Sequence, residues 1–211
     1  MQIAILIFDG LTALDAIGPY EVLSRLPGAE LRFVAKQAGP KRTDTGALAV
    51  LADVPIADLP DPEVVLVPGG AGNRPLMRDA EVLEWLRSAH DGSKWTTSVC
   101  TGALVLGAAR ILDGKRATTH WAFLDRLPEF GAEPVEERVV EDGKVITAAG
   151  VSAGIDMALT LAARIAGKEV AQAIQLGIEY DPAPPFDAGS PSKASPEVIE
   201  MVRGAERGRS S

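Results

Sequence analysis

The chain has 211 residues, 46% of them hydrophobic, which suits a single core with a tail. Its net charge of −8 disfavours a nucleic-acid surface, which needs clustered Lys and Arg to displace phosphate counterions. Its one cysteine excludes an internal disulfide, and the opening MQIAILIFDGL has neither the basic flank nor the apolar length of a signal peptide or membrane span, so a cytoplasmic placement away from membranes is expected.

Ile3–Phe8 (IAILIF) is a continuous apolar run, as expected of a strand covered on both faces. DGLTALDAIGP follows, and PYEVLSRL then reads as a helix with Pro19 in its first turn. Leu31–Ala35 is predicted as a second strand, Gly39–Val50 as a turn-rich stretch with a hairpin, and Val64–Val67 as another buried strand that stops at PGGAG. Val82, Leu83 and Leu86 give Asp79–His90 a helical spacing. Trp95–Val99 reads as the strand leading to Cys100, and Thr101–Leu112 as the helix after it.

RATTHWAFLDRL reads as a short strand or turn and then a helix, and Arg138–Ala148 as a hairpin around Asp142-Gly143. Helices follow at Ser152–Ala166 and Glu169–Tyr180. The Pro- and Ser-rich DPAPPFDAGSPSKASP has no regular period; its composition reads as exposed loop, and the alternative is a segment packed over the cleft or along a subunit interface. A last helix is expected over Pro196–Ala205, with GAERGRSS frayed. The resulting division is a domain over residues 1–194 and a C-terminal helix with its tail over 195–211.

Strands alternating with helices predict an α/β domain with a mostly parallel central sheet and helices on both faces. Sites in such sheets form beyond the carboxyl ends of the strands. Three segments leave such ends: Asp9–Pro19, Pro68–Asn73 and Cys100–Gly102.

Cys100, in TTSVCTGALVLGAARIL, sits where a strand gives way to a helix. A tight turn there projects the side chain into the crevice, as at a nucleophile elbow. The helix start offers free N–H groups and a positive dipole end, both of which favour thiolate. The competing reading is a small buried hydrophobe, and position alone does not separate the two. PGGAG, with the Thr101 N–H, forms either an oxyanion hole or an ordinary turn; no dinucleotide fingerprint or Walker lysine is present.

His90 ends an amphipathic helix and reads as solvated, whereas His120 either approaches the cleft or caps locally. Asp15, with Glu21 further along the helix, is either a helix-start partner or an acid whose pKa burial raises, able to donate a proton. One Cys and two separated His make no zinc set.

Together LDAIGPYEVL, VPGGAG, SVCTGALVLGAA, TTHW, AGVSAGIDMAL and EYDPAPPFDAGSP resemble the ThiJ/PfpI superfamily, and within it the isonitrile hydratase branch, over residues 2–192. The resemblance implies a flavodoxin-like, class I glutamine-amidotransferase-like sandwich, a homodimer, a small-molecule substrate, and no metal or other cofactor. It makes Cys100 the nucleophile and Asp15 the general acid. It has Thr101 support the pair and Gly70 contribute an oxyanion-hole N–H; apart from the resemblance, Ala71 and Thr101 are candidates to face the substrate, and Glu21 and His120 to stand behind.

The implied reaction is hydration of an isonitrile to an N-substituted formamide through a thioimidate. Thr101 stands where the protease-like branch has His, which reads against peptidase activity. Asp15 stands where the glyoxalase and chaperone branches place Glu. The alternatives are a glyoxalase-like lyase on the same scaffold and a ligand or oxidant sensor related to the ligand domains of AraC-type regulators. Such regulators carry a helix-turn-helix module beyond the core; this sequence ends soon after the core and is acidic overall, which reads against one.

Overall fold

The apolar runs become the middle of a seven-stranded sheet. The computed structural model describes residues 1–209, with side chains to Ala205. Its elements in chain order are β1 (Gln2–Leu6), α1 (Ala13–Leu23), β2 (Glu30–Ala35), β3 (Gly39–Arg42), β4 (Ala49–Ala52), β5 (Val54–Pro55), β6 (Val64–Val67), α2 (Asn73–Leu76), α3 (Ala80–Gly92), β7 (Trp95–Val99), α4 (Gly102–Ala108), β8 (Arg116–Ala117), β9 (Glu133–Pro134), β10 (Val139–Asp142), β11 (Val145–Ala148), α5 (Ala153–Ala166), α6 (Lys168–Gly177) and α7 (Pro196–Arg209), with 3-10 helices at Ile56–Asp58 and Trp121–Phe130.

The sheet order is β10-β11-β7-β6-β1-β2-β5. Every neighbouring pair is parallel except β10 with β11. Successive strand residues face opposite sides of a sheet, and Ile3, Ala4, Ile5 and all of Val64–Val67 are fully buried, so both faces are covered. Among the helices, α5 packs on both α1 and α6, while α4 carries α2, α3 and the longer 3-10 helix. The register sets Ile5 beside Leu66, and Val67 beside Ser98, which brings the segments after β1, β6 and β7 to one end of the sheet.

Among the expected boundaries that move, two belong to the helices that flank the site. Helix α1 starts at Ala13, so Pro19 lies inside it rather than in its first turn. Proline there removes the hydrogen bond to the Asp15 carbonyl, a loss of about 3 kcal/mol in an isolated helix. The burial of Ala16, Gly18, Pro19, Val22 and Leu23 against neighbours including α5 offsets it. Asp15 is therefore held in a helical turn instead of a loop.

Helix α4 ends at Ala108, short of the expected Leu112. Arg110 takes a left-handed φ of 65°. Its N–H bonds Gly107 O at 2.8 Å, and the Ile111 N–H bonds Leu106 O at 3.0 Å, the paired closure of a Schellman motif.

Gly102 opens α4 against the end of β6: a Cβ there would lie 2.1 Å from the Val67 carbonyl oxygen. Gly102→Ala is expected to lower the melting temperature by several degrees, since overpacking of this kind costs about 1–3 kcal/mol or more. An unchanged melt would show that the end of β6 yields freely.

One compact unit is Met1–Ile178 and another begins at Glu179, whereas the sequence suggested a division after residue 194. In the second unit, residues 180–195 have no regular structure, and the Lys193 ammonium pairs with Asp187 at 2.7 Å. Helix α7 continues past the expected Ala205 to Arg209; the end of the tail expected to fray, Ser210 and Ser211, lies outside the described residues. Among the described residues no helix is long and apolar enough to cross a membrane.

Candidate active site

Cys100 stands directly between β7 and α4 with φ 55°, a left-handed conformation that costs a non-glycine residue about 1–3 kcal/mol. The turn is fixed from both sides. The Cys100 N–H lies 3.1 Å from Ala148 O and 3.0 Å from Ala149 O, and the Thr119 hydroxyl donates to Cys100 O at 2.8 Å. The residue is 6% exposed.

Asp15 is fully buried. Its Oδ2 accepts the Gly69 N–H at 2.8 Å, and its Oδ1 has no hydrogen-bond partner among the described residues. The Cys100 side chain lies within hydrogen-bonding reach of this carboxyl. Burial raises the Asp15 pKa to about 7; the Gly69 N–H and Cys100 pull it down, and the Asp44 charge pushes it further up.

Burial also pushes the Cys100 thiol well above its ordinary value, and the Asp15 charge adds to this. The Thr101 N–H, the Val151 N–H and the Thr101 hydroxyl act in the opposite direction, as donors to sulfur. This corrects the expectation that the helix start would leave a thiolate at rest: α4 supplies a donor, but desolvation outweighs it. The two groups titrate as a pair. Above about pH 7 the pair holds one proton, mainly on sulfur, and below it two.

The double-glycine loop acts differently from expectation. The Gly70 N–H, expected to face the substrate, donates to Thr101 Oγ1 at 3.1 Å, and the Gly69 N–H is taken by Asp15. Gly70 adopts φ 134°, and a Cβ on it would lie 2.3 Å from the Gly10 carbonyl oxygen, so the loop is pinned to the segment after β1. Ala71 is exposed at its tip. The N–H groups that face sulfur come from Thr101 and Val151.

Val151 was not singled out from sequence, although it lies within the AGVSAGID motif. Its φ of 29° is a strained value for a β-branched residue and marks it as an element of the site. Asn73, whose Nδ2 donates to Thr101 Oγ1 at 2.7 Å, was missed as well.

Glu21 lies away from the site. Six residues at 3.6 per turn carry it about 240° round α1 from Asp15, where it pairs with Arg25 at 2.7 Å on the exposed face. His120 caps the longer 3-10 helix, its Nδ1 accepting the Ala122 N–H at 3.3 Å, with its ring beside Gly150, Trp121 and Phe123. His90 is half-buried rather than solvated: Nδ1 meets Thr96 Oγ1 at 2.8 Å, at the end of β7 remote from Cys100.

The buried carboxyl has a consequence for stability. A folded-state pKa raised from 3.8 to about 7 contributes stability that is complete below pH 3.8 and is lost as pH rises through 7. At about 1.4 kcal/mol per pH unit the full loss approaches about 4 kcal/mol. Asp15→Asn, which keeps an acceptor for Gly69, is expected to raise the melting temperature by several degrees at pH 8 and to leave it nearly unchanged at pH 4. Equal melts for both proteins at pH 8 would contradict the burial of an ionised carboxyl there.

Residues 1–164 match the DJ-1/PfpI family. The chain belongs to this family. A relative within the family's reach, isonitrile hydratase of Pseudomonas putida, is 49% identical over 203 residues, 96% of this chain and 89% of that protein. A solved structure of a ThiJ/PfpI family protein from Pseudomonas syringae superposes with a TM-score of 0.95 at 39% identity, covering 99% of this chain and 87% of that one. Glutathione-independent glyoxalase DJR-1.2 of Caenorhabditis elegans is 25% identical over 144 residues, 67% of this chain and 76% of that protein. The DJ-1/PfpI match runs from β1 into α5 and so includes all three segments that meet at Cys100.

Proposed function

We propose that this protein is an isonitrile hydratase that uses Cys100 as nucleophile and Asp15 as its proton partner. The observation that carries this reading is the buried pair: a thiol on a strained turn, beside a carboxyl whose pKa is about 7. In the one-proton state the pair supplies both parts the first step needs. The thiol proton passes to Asp15, and the sulfur attacks the terminal carbon of R–N≡C. Asp15 returns the proton to that same carbon, leaving the thioimidate Cys–S–CH=N–R.

Water then adds across C=N, its hydroxyl to carbon and its proton, relayed by Asp15, to nitrogen. The carbon–sulfur bond of Cys–S–CH(OH)–NHR breaks as the hydroxyl becomes carbonyl. The hydroxyl proton returns to the Cys–Asp pair, and the product is R–NH–CHO. The Thr101 and Val151 N–H groups stabilise sulfur as it leaves. Gly69 and Gly70 act on Asp15 and Thr101, holding the reacting groups in place.

In this reading Cys100 occupies a nucleophile elbow, the enzyme is a cytoplasmic homodimer acting on a small molecule, and it uses no cofactor. The 49% identity to a protein named isonitrile hydratase, over nearly the whole chain, supports the substrate class. The low exposure and raised pKa of Cys100 weigh against a stand-alone oxidant sensor, which needs an accessible thiolate.

Incubation with a simple alkyl isonitrile is expected to yield the N-alkylformamide, and incubation with methylglyoxal to yield no lactate. Lactate without formamide would replace the hydratase by a glyoxalase on the same scaffold.

A further inference from the structure

The Thr101 hydroxyl has one proton to give and two lone pairs to accept with. It meets two donors: the Gly70 N–H at 3.1 Å and Asn73 Nδ2–H at 2.7 Å. With both lone pairs occupied, its O–H must point away from them, and the Cys100 sulfur lies within its reach. The orientation of this proton is therefore set by the asparagine as well as by the backbone.

We propose that Asn73 is a positioning residue that aims the Thr101 hydroxyl at the Cys100 sulfur, favouring the thiolate form of the nucleophile. Asn73 opens α2, is 3% exposed, and is anchored by its own N–H to Gly70 O at 3.1 Å. Its Oδ1 is buried without a hydrogen-bond partner among the described residues. A residue kept only for packing would not need a buried amide with an unsatisfied oxygen. The reversed amide would set Oδ1 against Thr101 and draw the O–H off sulfur, so the donor end of the amide is what the site requires. The inference rests on Cys100 being the nucleophile; the charged groups acting on that thiol are Asp15 of α1 and, through Asp15, Asp44 after β3.

The test is a double-mutant cycle read by thiol alkylation, which does not depend on the substrate. The rate of Cys100 alkylation by iodoacetamide is measured from pH 6 to 10 in the wild type, Asn73→Ala, Thr101→Val and the double variant. Asn73→Leu repeats the comparison with the space filled, and thermal melts confirm folding. Each single variant is expected to alkylate about tenfold more slowly near pH 8, the size of one lost hydrogen bond to a charged group, with the pH midpoint displaced upward. The double variant is expected to be no slower than Thr101→Val alone, because the asparagine acts through the hydroxyl. Wild-type alkylation in both Asn73→Ala and Asn73→Leu would overturn the proposal, as would an undiminished effect of Asn73→Ala in the Thr101→Val background. An absence of isonitrile turnover in the wild type would remove the proposed substrate, while the alkylation cycle would still decide the role of Asn73.

Discussion

Cys100→Ala is expected to abolish formamide production, with a loss on the order of 10⁶ in kcat, the scale seen when a covalent nucleophile is removed. In the proposed mechanism the sulfur forms the bond that activates the isonitrile carbon, and the nearby Thr101 hydroxyl is a poor substitute, its oxygen already accepting from Gly70 and Asn73. Alanine accepts the same left-handed backbone at similar cost, so the variant should fold with a melting temperature close to that of the wild type. Acid-quenched wild type should carry the whole isonitrile mass on the Cys100 peptide during turnover, and Cys100→Ala should carry none. Formamide release by folded Cys100→Ala at more than a small fraction of the wild-type rate would rule out the covalent route.

Asp15→Asn is expected to lower kcat/KM by about 10²–10⁴, the range for a positioned proton-transfer group. The amide still accepts from Gly69 and fills the same space, but it cannot take the thiol proton or return it to carbon. The thiol must then ionise to water against a pKa that burial has raised, so the residual activity should climb with pH well past the point where the wild type levels off. The pH profile thereby separates a lost proton carrier from a disturbed fold. A variant retaining full activity at pH 7 would remove Asp15 from the mechanism.

Much of the fold was legible because both-faces-buried strands leave a simple signature. IAILIF, VVLV and the run before Cys100 could be read as central strands, and their order with the intervening helices implied a parallel sheet with a site at its carboxyl end. The start of α1 was not legible, because Pro19 obeys local rules for a first turn while packing against α5 holds it in mid-helix. The early end of α4 was hidden for a similar reason, since Arg110 takes a left-handed position usually given to glycine.

At the candidate site, their places on the chain made Cys100 and Asp15 candidates and only the resemblance gave them roles; the structure sets the two side chains together. The roles of the backbone donors were not legible. Two adjacent glycines look alike in sequence, yet one N–H holds the acid and the other holds Thr101. Val151 faces sulfur through its main chain, which no side-chain pattern can announce. Glu21 was misplaced because a count of residues along a helix gives a direction only once its starting face is known.

The proton inventory of the Asp15–Cys100 pair is most directly measured by the pH dependence of wild-type kcat/KM for isonitrile hydration, followed from pH 5 to 9. The expected profile is level above neutrality and falls about tenfold per pH unit below a midpoint near 7, as a second proton fills the pair. A rate that stays constant from pH 5 to 8, with the protein folded throughout, would show that no buried carboxyl shares its proton with the thiol.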